Sequence, residues 1–395
     1  MSYKYDVSVI LVNYNGKRYI DNLFSSLVKI KHDDFTYEIV FEDNNSTDDS
    51  VEYLKKSGFA DKCNLKIVES EENLGFAGGN NLAVDNAEGK YIILLNNDTA
   101  VDENWLSEIY HFILNNHECG MANSKLVFFY DFIKLTFSTK DKVIIDRNIT
   151  INGKKYMIDN KFCKNVLCQE KEVVCFGHSE IYVPLLDGDT AHTFNINVNE
   201  SDEGSCINSC EKSYSTNKLV SIELDKNQSH DNKITLIQNA GSGVNENYDG
   251  YDIGFCEPDS EKYNQPYEIN NGCGASIIML KEDFEKCGRF DERFFMYYED
   301  TDLSYRIKKL NKKIMYCPTS LVRHIHTGSS TEWSPFFVYH VCRNKLLFIK
   351  KNISAGKYFK YFLKQCKQSV KEKSKMKLKG TFASLKIVCG FKAKY

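Results

Sequence analysis

Asn96, Asn97 and Asp98 end an apolar run, YIILLNND, and are the first residues whose types suggest chemistry. A buried strand that ends in two amides and one carboxylate carries potential ligands at its carboxyl edge. Magnesium is commonly held by one or two carboxylates together with phosphate oxygens of a substrate. A single aspartate is therefore sufficient, and we expect Asp98 to bind a divalent metal (Mg or Mn).

Two further polar residues end predicted strands. Asn13 ends VSVILVN and Asp43 ends EIVFED, and helical patterns follow both runs. This alternation predicts a doubly wound, mostly parallel sheet, whose ligands bind outside the carboxyl ends of its strands. Each residue alone is also typical of turns and helix starts. Because Asn13, Asp43 and Asp98 stand at three different strand ends, we expect them to line one crevice.

A second acidic group lies in YEDTDLSYRIKKL, where Glu299, Asp300 and Asp302 open a predicted helix. Repulsion from Glu299 would raise the pKa of Asp300 and make it a better general base. The alternative is that these acids only stabilise the positive end of the helix dipole. The RHIH segment after the next predicted strand offers His324 and His326, which the local pattern alone does not distinguish from ordinary loop histidines.

The pattern of apolar and polar residues divides the sequence into four parts. Residues 1–127 and 239–330 show strand and helix patterns of an α/β fold, whereas 128–238 shows short alternating segments separated by Asn, Gly, Asp and Ser. The latter predicts an inserted antiparallel β module, of the sandwich type. Residues 331–395 form a helical, basic tail. Ser46 and Asp49 are predicted to form a capping box at the second helix.

Four ordered blocks of the sequence resemble the inverting family 2 glycosyltransferases of the GT-A fold, especially their rhamnosyltransferase-like branch. The blocks are VSVILVNYNG, EIVFEDNNSTDDS, ENLGFAGGNNLAV with GKYIILLNNDT, and GRFDERFFMYYEDTDLSYRI with HIH. They cover most of residues 5–125 and 240–350. Each motif alone is weak, but their order and spacing are specific.

The resemblance implies a role for each candidate residue. Asp43 would bind the nucleotide base, with the Asn13 segment lining the same pocket, and Asp98 would end the family's DxD motif as a metal ligand. Asn96 replaces the first Asp of that motif, and it would contact the ribose or a metal-bound water beside Asn97. The remaining roles are a nucleotide contact near the start of the GFAGGNN helix (Gly75), the general base (Asp300, with Asp302 in reserve) and a second metal ligand (His324).

The composition is that of an ordinary globular protein, with a formal net charge of −3 and fourteen cysteines. The N-terminus lacks the features of a signal peptide, so we expect a cytoplasmic protein with reduced thiols.

The tail from Lys350 onward holds fourteen lysines and a single acid, Glu372, interleaved with aromatic residues. This pattern favours peripheral contact with the inner face of a membrane; a solvated helix that packs on the catalytic domain is the alternative. No nucleic acid is expected as a partner, because no binding fold accompanies the charge.

The expected activity is transfer of a sugar, rhamnose being one candidate, from a nucleotide-diphosphate donor to a glycan or lipid-linked acceptor in surface polysaccharide synthesis. Two alternatives stay open. A sugar-1-phosphate nucleotidyltransferase should carry a glycine-rich basic loop after the first strand, where NYNGKRYI has one glycine. A non-catalytic glycan-binding protein would not need Asp43, Asp98 and Asp300 together.

Overall fold

The structure is a computed structural model that describes residues 3–188, 190–325 and 333–393. These residues form two compact units. The first consists of residues within 1–129, 238–255 and 260–395, and the second of residues 130–237 and 256–259. The basic tail is thus part of the same unit as both α/β segments, and the unit made mainly of 130–237 corresponds to the β-rich insertion.

The chain begins with alternating strands and helices. The strands are β1 (Tyr5–Asn13), β2 (Tyr37–Asp43), β3 (Leu65–Glu69), β4 (Gly89–Asn96), β5 (Thr99–Val101) and β6 (Cys119–Phe128). The helices are α1 (Ile20–Leu27), α2 (Ser50–Lys56), α3 (Gly75–Asp85) and α4 (Trp105–Asn115). Apolar residues at helical spacing in α1 and α4, such as Phe24 and Trp105, pack with β-branched residues of the strands into one buried core.

The second unit is nearly all antiparallel strand. Its elements are β7 (Phe132–Asp146), β8 (Asn148–Ile151), β9 (Lys154–Met157), β10 (Cys163–Cys168), β11 (Glu172–Pro184), β12 (His192–Ser201), β13 (Cys206–Ser209), β14 (Lys212–Ser215), β15 (Leu219–Leu224) and the short helix α5 (Lys226–Asp231). The nine strands form one continuous sheet. The expected sandwich of two separate sheets is therefore wrong in detail: β7 and β12 each pair with three other strands, and the sheet bends around its own apolar core.

The chain then completes the first unit. The remaining strands are β16 (Ile237–Asn239), β17 (Ser242–Val244), β18 (Gly250–Asp252), β19 (Tyr267–Glu268), β20 (Ser276–Leu280) and β21 (Lys313–His324). The remaining helices are α6 (Lys281–Lys286), α7 (Glu299–Lys308), α8 (Pro335–Phe348), α9 (Ala355–Lys371) and α10 (Lys375–Val388), with a π-helical turn at Ile349–Ile353.

A ten-stranded, mostly parallel sheet organises this unit. Its main path runs β19-β21-β6-β20-β4-β1-β2-β3, with β16 beside β6 and β5 beside β21. Strand β1 pairs in parallel with β2 and with β4, which aligns Asn13 with Asp43 and Val12 with Asn96. Strand β21 pairs with β5 and sets His324 opposite Thr99. The register therefore brings the predicted strand-end residues and a histidine from the far end of the chain to one edge.

The predicted capping box at the second helix is absent. Asp49 occupies the N-cap position in a left-handed conformation and makes no side-chain cap bond. The Ser46 hydroxyl instead accepts hydrogen bonds from the Asn13 amide and the Asn15 backbone N–H, at 3.1 and 2.9 Å. A tertiary partner has replaced the local cap, and Ser46 belongs to the strand-end network.

The basic tail forms three packed helices. Serines cap α8, α9 and α10, because Ser334, Ser354 and Ser374 each accept a backbone N–H at the helix start. One face of the tail joins an apolar cluster with residues of the α/β segment: Tyr358, Phe362, Ile387 and Val388 of the tail and Phe294 and Tyr298 before α7. Among the described residues, no helix is long and apolar enough to span a membrane.

Candidate active site

A chain of buried amides crosses the carboxyl ends of β2, β1 and β4. The Asn13 side chain donates to Asp43 Oδ1 at 2.8 Å, and the Asn97 side chain donates to Asn13 Oδ1 at 2.9 Å. The second oxygen of Asp43 accepts the Ser46 backbone N–H at 2.9 Å. The structure thus brings together three of the predicted binding residues, and it fixes the orientation of the Asp43 carboxylate.

The loop after β1 borders this network. An open cleft of about 670 Å³ is lined by Tyr14, Asn15, Lys17, Arg18, Tyr19, Asp21, Asp48 and Tyr53. Gly16 packs so closely that a Cβ there would lie 2.3 Å from Asn97 Nδ2 and 2.4 Å from Asn13 Oδ1. A glycine is required at this position because the loop approaches the amide chain without room for a methyl group.

Asp98 and His324 form the second group of the site. His324 Nε2 lies 3.0 Å from Asp98 Oδ1 and 3.3 Å from Asn96 Nδ2, and its Nδ1 lies 2.8 Å from the Gln238 side-chain oxygen. The side chains of Asp98, His324 and Gln238 are at most 7% exposed. Because the amide oxygen of Gln238 can only accept, Nδ1 carries a proton and Nε2 points toward the carboxylate.

This donor set fits a divalent metal. A carboxylate oxygen and an imidazole nitrogen are common metal donors, and a ligating histidine usually donates its other N–H to an oxygen acceptor, as His324 does to Gln238. Among the described residues, no cluster of three His, Cys, Asp or Glu side chains could hold a metal. Asp98 and His324 would therefore supply two ligands, and substrate oxygens and water the others. The competing candidate, His326, lies outside the described residues.

Asp300 lies in the first turn of α7, beside the strand that carries Asn96. Its Oδ2 accepts the Gly274 N–H at 3.1 Å and its Oδ1 accepts the Thr301 N–H at 2.6 Å. The carbonyl oxygen of the next residue, Ala275, accepts the Asn96 N–H at 3.0 Å. Burial raises the pKa of the Asp300 carboxyl, while these N–H groups lower it.

The environment of Glu299 corrects one expectation about this pair. Burial, rather than repulsion from Glu299, is the largest cause of the raised pKa of Asp300. Burial also raises the pKa of Glu299, and the charge of Asp300 adds to this. Glu299 is 5% exposed, and its Oε2 has no hydrogen-bond partner among the described residues. The two carboxyls thus differ in their contacts: both oxygens of Asp300 accept backbone N–H groups, which favour its ionised, proton-accepting form, whereas Glu299 Oε2 lacks such a donor.

Asp302 occupies a different environment from Asp300. It has no exposed surface, and it accepts hydrogen bonds from Arg306 Nε at 2.9 Å, Lys351 Nζ at 2.9 Å and Asn352 Nδ2 at 2.7 Å. Three donors, two of them cationic, satisfy the oxygens of this buried carboxylate. Its surroundings suit an anchor of the helix better than a proton acceptor.

Gly75 begins α3 with a φ of +71°, a conformation that favours glycine. Its N–H is already bound by the Asn73 side chain at 2.9 Å, and the preceding turn is held by Asn44, which follows Asp43. A Cβ at Gly75 would lie 2.5 Å from the ring of Phe295. The glycine therefore serves the turn and the close contact with Phe295, and its N–H does not point to a ligand.

Two site residues were missed from the sequence. Gln238 orients His324, and the ITLIQN segment could have indicated it, because an apolar run again ends in amides. Asp252 of β18 accepts from Asn239 and Ser242 at 2.6 and 2.8 Å. Asp252 lies in an exposed strand, and the charges of Asp300 and His324 both act on it, so the three groups lie within electrostatic range. No periodic pattern in the sequence distinguishes this aspartate.

Part of the chain is similar in sequence to known sugar-transferring enzymes. Residues 8–163 match the family model described as Glycosyl transferase family 2. The poly(ribitol-phosphate) beta-N-acetylglucosaminyltransferase TarS of Staphylococcus aureus is 32% identical over 111 residues, which are 28% of this chain and 19% of that protein. An N-acetylglucosaminyl-diphospho-decaprenol L-rhamnosyltransferase of Mycobacterium tuberculosis is 39% identical over 62 residues, 16% of this chain and 20% of that protein. The matches thus span about a fifth of these relatives.

The fold has a counterpart among solved structures. The crystal structure of GalNAc-T7 with UDP, GalNAc and Mn2+ aligns with a TM-score of 0.50 at 15% identity, over 88% of this chain and 48% of that chain. This likeness concerns the fold, which is of the GT-A type: a mostly parallel sheet in an α/β unit, here with a second, antiparallel sheet and helices at the C-terminal side.

Proposed function

Because residues 8–163 match the family model of glycosyl transferase family 2, we propose that the chain is an inverting glycosyltransferase that uses a nucleotide-diphosphate sugar and a glycan or lipid-linked acceptor in polysaccharide synthesis. The observation that carries the proposal is the strand-end edge, where the Asp43–Asn13–Asn97 chain and the Asp98–His324 pair lie on neighbouring strands. Such an edge can hold the base and the diphosphate of one ligand.

The donor side follows from these contacts. Asp43, fixed by Asn13 and Ser46, accepts a hydrogen bond from the base, and the adjoining cleft with Lys17 and Arg18 offers positive charge near the diphosphate. Asp98 and His324 would hold Mg or Mn, and a bound ion would supply stabilisation of the negative charge on a diphosphate leaving group. Asn96 contacts His324 Nε2 and so lies beside the proposed metal-binding pair.

The acceptor side uses Asp300. Its carboxylate removes the proton of the acceptor hydroxyl as that oxygen bonds to the anomeric carbon, and the bond from this carbon to the diphosphate oxygen breaks on the opposite face. Burial raises the pKa of Asp300, which makes it a stronger base than an exposed aspartate. Asp252 lies within electrostatic range of Asp300 and is a candidate for binding acceptor hydroxyls.

A panel of nucleotide sugars tests the proposal. The curated relatives are named for N-acetylglucosamine and rhamnose transfer, so the panel includes UDP-GlcNAc and dTDP-rhamnose with Mn2+ or Mg2+. A true donor at a hundred times its dissociation constant should stabilise the protein by about 2.7 kcal/mol, and slow release of nucleotide diphosphate should accompany it. Release of pyrophosphate from a nucleoside triphosphate and a sugar 1-phosphate would instead favour a nucleotidyltransferase, and glycan binding without turnover a binding protein.

We also propose that the tail brings the enzyme to the cytoplasmic face of an anionic membrane. One row of α9 stays open to solvent although another face is packed: Phe359 is 57% and Leu363 61% exposed, with Lys360 and Lys364 beside them. An apolar row flanked by lysines suits an anionic interface.

Liposome sedimentation tests this contact. Removing the tail would strip the apolar cluster around Phe294 and Tyr298, so surface substitutions are the sharper test. Phe359→Ser with Leu363→Ser should weaken pelleting with anionic liposomes at low salt and leave the melting temperature unchanged. Leu219→Ser, at an exposed apolar residue of the β insertion (56% exposed), is the matched control. Equal pelleting of all three proteins would refute the contact.

A further inference from the structure

The loop before α7 has a costly backbone conformation. Phe295, Tyr297 and Tyr298 have φ values of 65°, 71° and 71°, a region that residues other than glycine rarely adopt. Such residues persist where the surrounding structure holds them, and they cluster at functional sites. The next two residues are Glu299 and Asp300, so the position of the proposed base depends on this loop.

Two buried side chains of α8 hold the loop. The Asn344 amide nitrogen lies 2.8, 2.8 and 2.7 Å from the carbonyl oxygens of Phe294, Met296 and Tyr297. Arg343 Nη2 donates to the Phe294 oxygen at 2.6 Å, and Arg343 Nε donates to Asn344 Oδ1 at 2.8 Å. Asn344 has no exposed surface and Arg343 has 3%. The arginine thus orients the amide and binds the residue just before the strained loop, and the amide binds the backbone of the loop itself.

The segment that follows α8 contacts helix α7, which begins directly after the strained loop. Lys351 and Asn352 donate to Asp302, one turn beyond the loop in α7. Loop and helix are therefore fixed by one stretch of chain, residues 343–352.

The other side of the loop touches the proposed donor side. The Phe295 carbonyl oxygen accepts the Ala77 N–H of α3 at 3.1 Å, and its ring fills the space above Gly75. The loop is thus hydrogen-bonded to the helix behind the strand-end edge and to α8. A shift of the loop would move Asp300 relative to the donor.

From these contacts we infer that Asn344 and Arg343 are positioning residues, which hold the loop 295–298 so that Asp300 stands at the reacting hydroxyl. The inference rests on the proposed glycosyltransferase function. Neither residue touches the strand-end edge, so their removal should affect the rate of the chemical step rather than donor binding. A displacement of about 1 Å is sufficient to lower a rate by about 10²-fold.

The test uses Asn344→Leu in the full chain, which keeps the size of the side chain and removes its donors. We expect kcat to fall by about 10²-fold, with the donor dissociation constant and KM near those of the wild type. Hydrogen–deuterium exchange of the amides of residues 295–301 should become faster. Gln365→Leu is the matched control: Gln365 is a buried amide that donates to Cys342 O and Thr381 Oγ1 and does not contact the loop, and it should leave kcat and this exchange unchanged.

Arg343→Lys is the second variant, because it retains the positive charge and loses the planar fork. It should show the same pattern to a smaller degree, which keeps the inference testable if Asn344→Leu does not fold. Unchanged exchange at 295–301 in folded variants, or an equal loss of kcat in Gln365→Leu, would overturn the inference. If the loop exchanges faster in the variants but the wild type turns over no nucleotide sugar, the proposed function is refuted and the loop contact stands.

Discussion

His324 Nε2 lies 3.0 Å from Asp98 Oδ1, although the two residues are 226 positions apart in the chain. Antiparallel pairing of β5 with β21 places them side by side. Because His324 Nδ1 donates its N–H to the Gln238 side-chain oxygen, Nε2 is the ring nitrogen that faces the Asp98 oxygen. Two electron-rich atoms in such an arrangement are stabilised by a shared cation, either a proton or a metal ion.

Asp98→Ala and His324→Ala should both weaken Mn2+ binding in the presence of nucleotide diphosphate, because each removes one of two protein ligands. The measurement is a Mn2+ titration followed by electron paramagnetic resonance, together with turnover at rising metal concentration. His111→Ala is the matched control, because His111 forms a similar pair with Asp34 at 2.8 Å on the surface. Full turnover of the wild type in excess chelator would contradict the metal assignment.

Asp300→Asn and Asp302→Asn should differ in kind. The first keeps the shape of the side chain but loses the base and one of its two acceptor oxygens, so the rate should fall by about 10²–10⁴-fold while donor affinity stays near that of the wild type and the melting temperature falls less than in the second variant. The second weakens a buried ionic group with three donors, and breaking such a pair costs about 3–5 kcal/mol. Steady-state kinetics and thermal unfolding of both variants separate the roles. An inactive, stable Asp302→Asn beside an active Asp300→Asn would reverse them.

Gly16→Ala should weaken nucleotide binding without unfolding the protein. The φ of Gly16 is −106°, which an alanine can adopt, but the new methyl group would push against Asn13 and Asn97. We expect a loss of about tenfold in affinity, about 1.4 kcal/mol, in calorimetric titration with the preferred nucleotide. Gly356→Ala is the control, because a Cβ there has open space around it. Equal affinity in both variants would show that the amide chain does not bind nucleotide.

Glu42 should make the protein less stable as the pH rises. Its carboxyl has no exposed surface and, among the described residues, no hydrogen-bond partner. Burial, and then the charge of Asp43, raise its pKa from 4.5 to about 8. The folded state therefore keeps a proton that the unfolded state loses above pH 4.5. The free energy of unfolding should fall by about 1.4 kcal/mol per pH unit between these two values.

Urea unfolding at several pH values between 5 and 8 measures this dependence. Glu42→Gln, which stays neutral, should reduce the slope and be more stable than the wild type near pH 8. Glu71→Gln, at an exposed carboxylate, should leave the slope unchanged. The same slope in wild type and Glu42→Gln would show that Glu42 is ionised in the folded protein.

The sequence predicts those features of the candidate site that depend on neighbouring residues in the chain. Asn13, Asp43 and Asp98 could be predicted to lie at strand ends because a buried strand and its polar end are adjacent in sequence, and the register of β1 with β2 aligns the first two. Ser46 was misassigned because a distant amide competes with the local helix cap. Gln238 and Asp252 were missed because their partners come from other segments.

The tail shows the same limit. Its amphipathic pattern was visible, but the pattern does not say which apolar face is buried. Tyr358 and Phe362 turned out to pack with Phe294 and Tyr298, whereas Phe359 and Leu363 remain exposed. The contacts of Asn344 with three carbonyl oxygens depend on a backbone conformation that the sequence around residue 295 does not indicate.

The position of β20 in the sheet has a consequence for synthesis on the ribosome. β20 lies between β4 and β6, yet residues 276–280 leave the ribosome only after the whole β insertion. Until then β4 has an open, apolar edge, and unpaired edges of this kind promote association between chains. The growing polypeptide therefore passes through a stage in which the first α/β segment is translated and its sheet is incomplete, and slower translation upstream of β20 should increase its dependence on chaperones.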